Sequence, residues 1–391
     1  MFTVLLLIII YLSFISLGLP DSLLGSAWPS MYGSLNVPLH YAGIVSMIVA
    51  GGTVVSSIFS ERIIRRWRTG IVTAVSVLMT AAALIGFSVS GSFLSLCLLA
   101  VPLGLGAGSV DAALNNYVAL HYKARHMSWL HCFWGIGASI GPIIMSSFLI
   151  RQNSWHMGYR TIGIIQFCLV VLLFISLPLW GNNKSTETAV RSDSVKFTKL
   201  FRIAGVKEAL VAFFCYCSIE TIAGLWGASF LVEEKGISKE IAAKWIALFY
   251  IGITSGRFIS GFITIKLNNR QMVRLGQIII GCGIVVLVLP FANSLLPGLF
   301  LIGLGCAPIY PSLLHETPKN FGEEYSQAMM GIQMGSAYIG TTLMPPVFGW
   351  LASRMSFNIF PVFIGGILII KIAMVEVLNK KIDGKRKAET E

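Results

Sequence analysis

Residues 71–110 read IVTAVSVLMTAAALIGFSVSGSFLSLCLLAVPLGLGAGSV, without a single Asp, Glu, Lys or Arg. A helix that crosses a bilayer needs about 20 mostly apolar residues, so this stretch is long enough for two crossings with a turn between them. Met1–Pro20 and Ile278–His315 on either side are uncharged as well. A core helix of a soluble protein is rarely apolar on every face. The whole 391-residue chain follows the same pattern: 55% of its residues are hydrophobic and only 12% are charged, where a soluble chain carries about 25% charged residues. The sequence therefore reads as an all-α integral membrane protein.

Apolar runs and the charges between them predict twelve transmembrane helices, at about 3–29, 40–60, 69–90, 92–118, 127–150, 160–180, 207–232, 240–264, 272–291, 294–315, 325–352 and 357–378. The formal charge of +12 raises the question of nucleic acid, but the placement of the basic residues answers it. Arg62, Arg65, Arg66 and Arg68 sit between the second and third helices, Lys123 and Arg125 between the fourth and fifth, and Lys266, Arg270 and Arg274 around the start of the ninth. Lys184, Arg191, Lys196, Lys199 and Arg202 occupy the longest connector, and Lys380, Lys381, Lys385, Arg386 and Lys387 the tail. With twelve crossings all of these fall on one side. The loops after the first, third and ninth helices carry no charge. By the positive-inside rule both termini are expected in the cytoplasm of a cell-membrane protein, with the lipid bilayer and not nucleic acid as the partner. The N-terminal apolar run lacks a basic flank and a small-residue cleavage site, so it reads as a retained first helix. The expected organisation is a six-helix bundle over 1–180, a cytoplasmic connector over 181–206, a second bundle over 207–378 and a basic tail over 379–391, in a chain acting as a monomer.

The two halves echo each other. Leu103-Gly104-Leu105-Gly106 in the fourth helix answers Ile302-Gly303-Leu304-Gly305 in the tenth. Repeated halves with a site between them are a transporter architecture, while small residues also let helices pack closely in lipid. The seven cysteines all lie in apolar segments without metal-ligand spacing and read as small buried hydrophobes. No metal or organic cofactor is expected. Neither a Ser–His–Asp, metal-ligand nor phosphate-loop pattern supports a membrane enzyme, and the short connectors leave little soluble surface for a receptor.

Ionisable groups at membrane depth cost about 2.5–3.5 kcal/mol each to insert, so they usually face a partner or a wet cavity. Asp21 follows Gly18-Leu19-Pro20 in the first helix. Asp111 and Asn115, four apart in the fourth, share one helix face. Glu220 lies in the seventh helix and Arg257 in the eighth, between Gly256 and Gly261. Each reads either as an ion pair that fixes the bundle or as part of a transport site. A carboxyl shielded from water holds its proton more tightly and can release it when the cavity opens to the other side. On this reading Asp111 and Asp21 are the proton-coupling candidates. Asn115, Asn116, His131, Glu220, Trp226 and Gln333 are the solute-contact candidates, with Trp134 and Tyr338 as further aromatic surfaces for a ring.

The layout resembles the major facilitator superfamily. Ser57-Ile-Phe-Ser-Glu61-Arg62-Ile-Ile64-Arg65-Arg66 is similar to its signature between the second and third helices, with Glu61 for the usual Asp and Ser57 and Ile64 in place of glycines. Within that superfamily, several segments resemble the fucose-permease-like branch. They are Asp21 in helix 1, Gly106-x-Gly108-x-x-Asp111-x-x-x-Asn115, His131-Cys-Phe133-Trp-Gly-Ile-Gly137, Glu220-Thr221-x-x-Gly224-x-Trp226, Gly256-Arg257 and Ala307-Pro308-Ile-Tyr-Pro311. The resemblance implies two pseudo-symmetric six-helix bundles working by alternating access. It also implies proton-coupled symport of a sugar-like or other small polar solute, with the helix 1 and helix 4 carboxyl roles passing to Asp21 and Asp111. The permease has Glu at the position of Asp111 and a sugar-contacting amide at that of His131, which leaves the solute open. Gly137-x-x-x-Gly141-Pro142 partly resembles the motif of proton-driven exporters, so a drug or metabolite antiporter is the alternative.

Overall fold

The computed structural model describes residues 2–122, 124–180, 200–264 and 266–390. Most of the central connector, and the side chains of Glu61, Arg62, Arg65 and Asn116, lie outside the described residues. The first crossing is built from α1 (Phe2–Asp21) and α2 (Leu23–Ser34), followed by α3 (Ala42–Trp67), α4 (Thr69–Phe87), α5 (Phe93–His121), α6 (Ala124–Gln152) and α7 (Trp155–Ile175). The second series is α8 (Val206–Glu233), α9 (Lys239–Ile263), α10 (Asn269–Val288), α11 (Leu295–Cys306) and α12 (Ile309–His315), which together make one crossing, a short α13 (Thr317–Phe321), α14 (Glu323–Arg354) and α15 (Ile359–Thr390).

Helix starts follow local chemistry. Ser92, Ser154 and Ser238 accept the free backbone N–H of Ser95, Met157 and Ile241, and Asn268 with Gln271 forms a reciprocal capping box at the start of α10. Eleven crossings among the described residues are long and apolar enough to span a membrane. The helix expected at 325–352 forms as α14 but is not among those eleven, because Gln333, Ser336, Thr341, Thr342 and several glycines dilute its hydropathy. Several boundaries differ from the sequence reading: the first crossing runs to Ser34 rather than 29 and the second to Trp67 rather than 60. The sixth crossing begins at Trp155 rather than near 160, where Ser154 caps it. The last helix continues past 378 to Thr390, held by Lys381–Glu208 (2.7 Å), Arg270–Asp383 (2.8 Å) and Arg274–Glu376 (2.6 Å).

Packing repeats between the two series. In the first, α1 lies on α6, α3 on α5, α4 on α5 and α4 on α7; in the second, α8 lies on α14, α9 on α11, α10 on α11 and α10 on α15. The series meet where α6 crosses α9, α3 crosses α14 and α2 crosses α8. The echoing glycines are contact points: a Cβ at Gly104 would strike the Val49 carbonyl, and one at Gly303 the Phe249 carbonyl. Gly303→Val is therefore expected to force α9 and α11 apart and cost about 3 kcal/mol or more, seen as loss of monodisperse protein after detergent extraction.

Apolar packing is uneven along the bundle axis. With an even number of crossings both termini lie at one end, here the near end. One buried cluster joins the two series, with Leu23, Trp28 and Trp155 from the first and Trp226, Phe230 and Phe360 from the second. Most of these side chains come from the far ends of their helices. Toward the near end each series packs on its own, one around Leu6, Ile9, Val118 and Leu130, the other around Leu200, Val206, Phe321 and Leu378.

One charge at membrane depth escapes the sequence reading. Lys371 on α15 is fully buried, and among the described residues its amine has no hydrogen-bond partner. Replacing an uncompensated buried ion by an apolar side chain of similar length is often stabilising. Lys371→Met should raise the thermal midpoint in detergent by the equivalent of about 2 kcal/mol; a lowered midpoint would show that the amine has a structural partner.

Candidate functional site

A cavity opens between the two series at mid-depth, in two connected lobes of about 260 and 350 Å³. Both lobes reach Asp21, Thr53, Ala107, Trp134, Glu220 and Tyr338. The first lobe adds Asp111, His131 and Arg257, and the second adds Ser46, Thr221 and Tyr250 on the far-end side. Together they fall within the size range of small-molecule sites, about 300–1,000 Å³.

Each charged group is placed by a local feature of its helix. Asp21 is the last residue of α1, where the chain turns through Ser22 into α2. It accepts a hydrogen bond from the Trp134 indole (Nε1 to Oδ2, 2.7 Å). The approach that allows this bond depends on Gly18, one turn earlier, whose missing side chain leaves room for the Trp134 carbonyl. Asp111 accepts from Asn115 Nδ2 at 2.8 Å, across the one-turn spacing read from the sequence. Glu220 and Arg257 approach to 3.7 Å, both side chains about one-fifth exposed to the cavity. Arg257 also lies over the Trp134 ring, 5.0 Å from its centroid. Three carboxyls and one guanidinium thus share the cavity wall, on helices from both series. His131 lines the same lobe and meets Phe14 edge-on.

The structure brings together Asp21, Asp111, His131 and Glu220, with Asn115 behind Asp111 as its hydrogen-bond donor. It does not bring Trp226 or Gln333 to the cavity wall. Trp226 is fully buried, donates to the Pro345 carbonyl (2.9 Å) and packs between Phe348 and Phe357. Gln333 is buried and accepts from Thr317 Oγ1 at 2.9 Å. Both stand out in the sequence as polar or aromatic at depth, and both satisfy that polarity inside one series. The side chain of Asn116 falls outside the described residues. Thr53, Tyr250 and Ser46 line the cavity although nothing in the sequence marks them; a hydroxyl in an apolar helix carries too small a penalty to stand out. Among the described residues no group of His, Cys, Asp and Glu gathers in a metal-binding arrangement, and all seven cysteines are free.

At the far end the cavity is roofed. Gly25 on α2 meets the Gly224 carbonyl on α8 so closely that a side chain at Gly25 would strike it, while one at Gly224 would strike the Tyr250 hydroxyl on α9. Beyond it Tyr32 donates to Glu233 (3.1 Å), Lys239 lies over the Tyr32 ring, and Ser146 donates to the Glu240 carbonyl (2.8 Å).

Comparisons with known proteins bear on what such a cavity is for. A family model described as Major Facilitator Superfamily matches residues 10–238 and 209–391. The chain is 23% identical over 354 residues to the glucose/mannose transporter GlcP of Bacillus subtilis (strain 168), covering 87% of this chain and 86% of that protein. It is 25% identical over 369 residues to the cis,cis-muconate transport protein of Acinetobacter baylyi, covering 89% and 87%. Among solved structures, a mutant of the nucleoside transporter NupG superposes with a TM-score of 0.74 at 15% identity, over 94% of this chain and 98% of that one.

Proposed function

The chain belongs to the major facilitator superfamily, and on that premise we propose that it is a proton-coupled symporter of a small polar solute. A transporter of this kind catalyses no covalent chemistry, so its working parts are a binding site, a coupling group and a hinge. The observation that carries the proposal is the placement of Asp21 and Asp111 on the wall of one cavity between the two helix series. Each has a single side-chain hydrogen-bond donor, and no cation faces either within ion-pair distance among the described residues. A carboxyl so placed is suited to carry a proton, because its charged form has lost water without gaining a counter-ion.

Alternating access supplies the rest. The 1–180 and 207–378 bundles rock about the cavity, with α2 packed on α8 at the far end in the present conformation and each bundle packed on its own toward the near end. The basic connectors favour the near end as the cytoplasmic side, making this an inward-facing state of a cell-membrane monomer. Glu220 and Arg257 contribute the second bundle's share of the site, and His131, Trp134, Tyr338 and Tyr250 its polar and aromatic walls. The glucose/mannose and muconate transporters to which the chain is similar carry solutes of the size this cavity admits. The helix 1, 4 and 5 segments favour the fucose-permease-like branch. Gly137 and Gly141, the residues behind the exporter alternative, face the carbonyls of Ile15 and Leu19, where close packing of α1 on α6 is a reason for both glycines that does not involve export.

A thermal-shift screen of the purified protein against sugars, nucleosides and small organic acids, followed by uptake into proteoliposomes, tests the reading. Stabilisation by a compound that then accumulates under an inward proton gradient is the expected outcome. Accumulation only against an opposing gradient would establish the exporter instead.

A further inference from the structure

The guanidinium of Arg257 is charged, faces the cavity and is poorly used. A guanidinium offers five N–H donors in a planar fork, yet among the described residues none of those of Arg257 makes a hydrogen bond. Its one anionic neighbour, Glu220, stands 3.7 Å away, beyond hydrogen-bond distance. What holds the group is the Trp134 ring beneath it, 5.0 Å from the guanidinium carbon. That ring is itself fixed by the indole bond to Asp21. The guanidinium is thus held in position over the ring, while its donors remain free among the described residues for something that enters the cavity.

We propose that Arg257 determines specificity and that the solute is a small organic acid, its carboxylate held by the Arg257 fork. The proposal rests on the reading of the cavity as the transport site. A carboxylate matches the fork with two parallel charge-assisted bonds and can displace the loose contact with Glu220. A neutral hydroxyl brings no charge and a single acceptor, so it competes poorly with a carboxylate already nearby. One face of Trp134, which a sugar ring would use for stacking, is taken by the guanidinium. The remaining wall charges complete the logic. Asp21, Asp111 and Glu220 repel an anion when ionised, so acid and proton enter together, with the proton cancelling the charge that would otherwise oppose binding.

The test compares two acids with one neutral compound on the wild-type protein and three variants. D-glucuronate and cis,cis-muconate are the acid probes and D-glucose is the neutral one, read by thermal shift and by titration of intrinsic tryptophan fluorescence. At least one acid is expected to raise the thermal midpoint of the wild type, and D-glucose is not. Arg257→Gln should weaken acid binding at least tenfold, and Arg257→Lys, which keeps the charge without the fork, should weaken it by less. Glu220→Gln removes the competing carboxylate and should tighten it, a result that does not depend on the arginine variants folding. Preference for D-glucose, binding by neither acid, or unchanged acid binding in both arginine variants overturns the proposal. The outcomes separate it from the transport reading: D-glucose accumulated under a proton gradient leaves the symporter intact and removes the acid, whereas acid binding without any uptake does the reverse.

Discussion

Asp111→Asn should abolish proton-driven accumulation while solute exchange across the membrane continues. Asparagine preserves the side-chain shape and an oxygen that can accept from Asn115 Nδ2, the bond seen at 2.8 Å in the wild type, but it cannot take up or release a proton. Solute can still enter the cavity, because the remaining wall is unchanged. The uncharged side chain no longer penalises the empty site, so the two orientations interconvert without a proton. Labelled solute in proteoliposomes should equilibrate and never exceed its outside concentration. Concentrative uptake at the wild-type level would remove Asp111 from the coupling role and leave Asp21, bonded to Trp134, as the remaining carboxyl on the α1–α6 side.

Gly25→Trp should lower turnover at least tenfold while leaving solute binding in place. Gly25 lets α2 meet the backbone of α8 at Gly224 and Leu225 at the far end of the cavity, and an indole there holds the series apart. Packed interfaces of this kind have discrete arrangements and do not deform continuously. A wedge therefore favours the state open at the far end. Thermal-shift titration checks binding, and proteoliposome uptake checks turnover. Normal uptake would mean that α2 and α8 do not have to meet for transport.

How much of the molecule is legible in its residues depends on the physical penalty each feature carries. The crossings are legible because an uninterrupted run of about 20 apolar residues is rare outside a membrane span, and the charge runs between them fix where the chain turns. α14 is legible despite its polar content only because the basic loops require an even count. Asp21, Asp111, His131 and Glu220, which line the cavity, are legible as exceptional residues because ions and imidazoles are costly in lipid. The same signal, however, does not tell a cavity from an internal partner. That is why Trp226 and Gln333, paired with Pro345 and Thr317, look like wall residues until their partners are seen. Arg257 shows the opposite ambiguity: the sequence leaves it between an ion pair and a site group, and the structure places it in both, beside Glu220 and facing the cavity. Lys371 is easily passed over because it lies near the basic tail, where a lysine is expected, although it sits twelve residues into α15. Its burial depends on which face of α15 turns inward.

The most direct test is proton flux driven by solute. The purified protein is reconstituted into liposomes that trap a pH-sensitive dye, with no proton gradient imposed, and the solute identified by the screen is added outside. Symport through the Asp21–Asp111 cavity predicts acidification of the lumen at a rate that follows solute entry and vanishes in Asp111→Asn. Entry of labelled solute with no change in lumenal pH, or with alkalinisation, would contradict it.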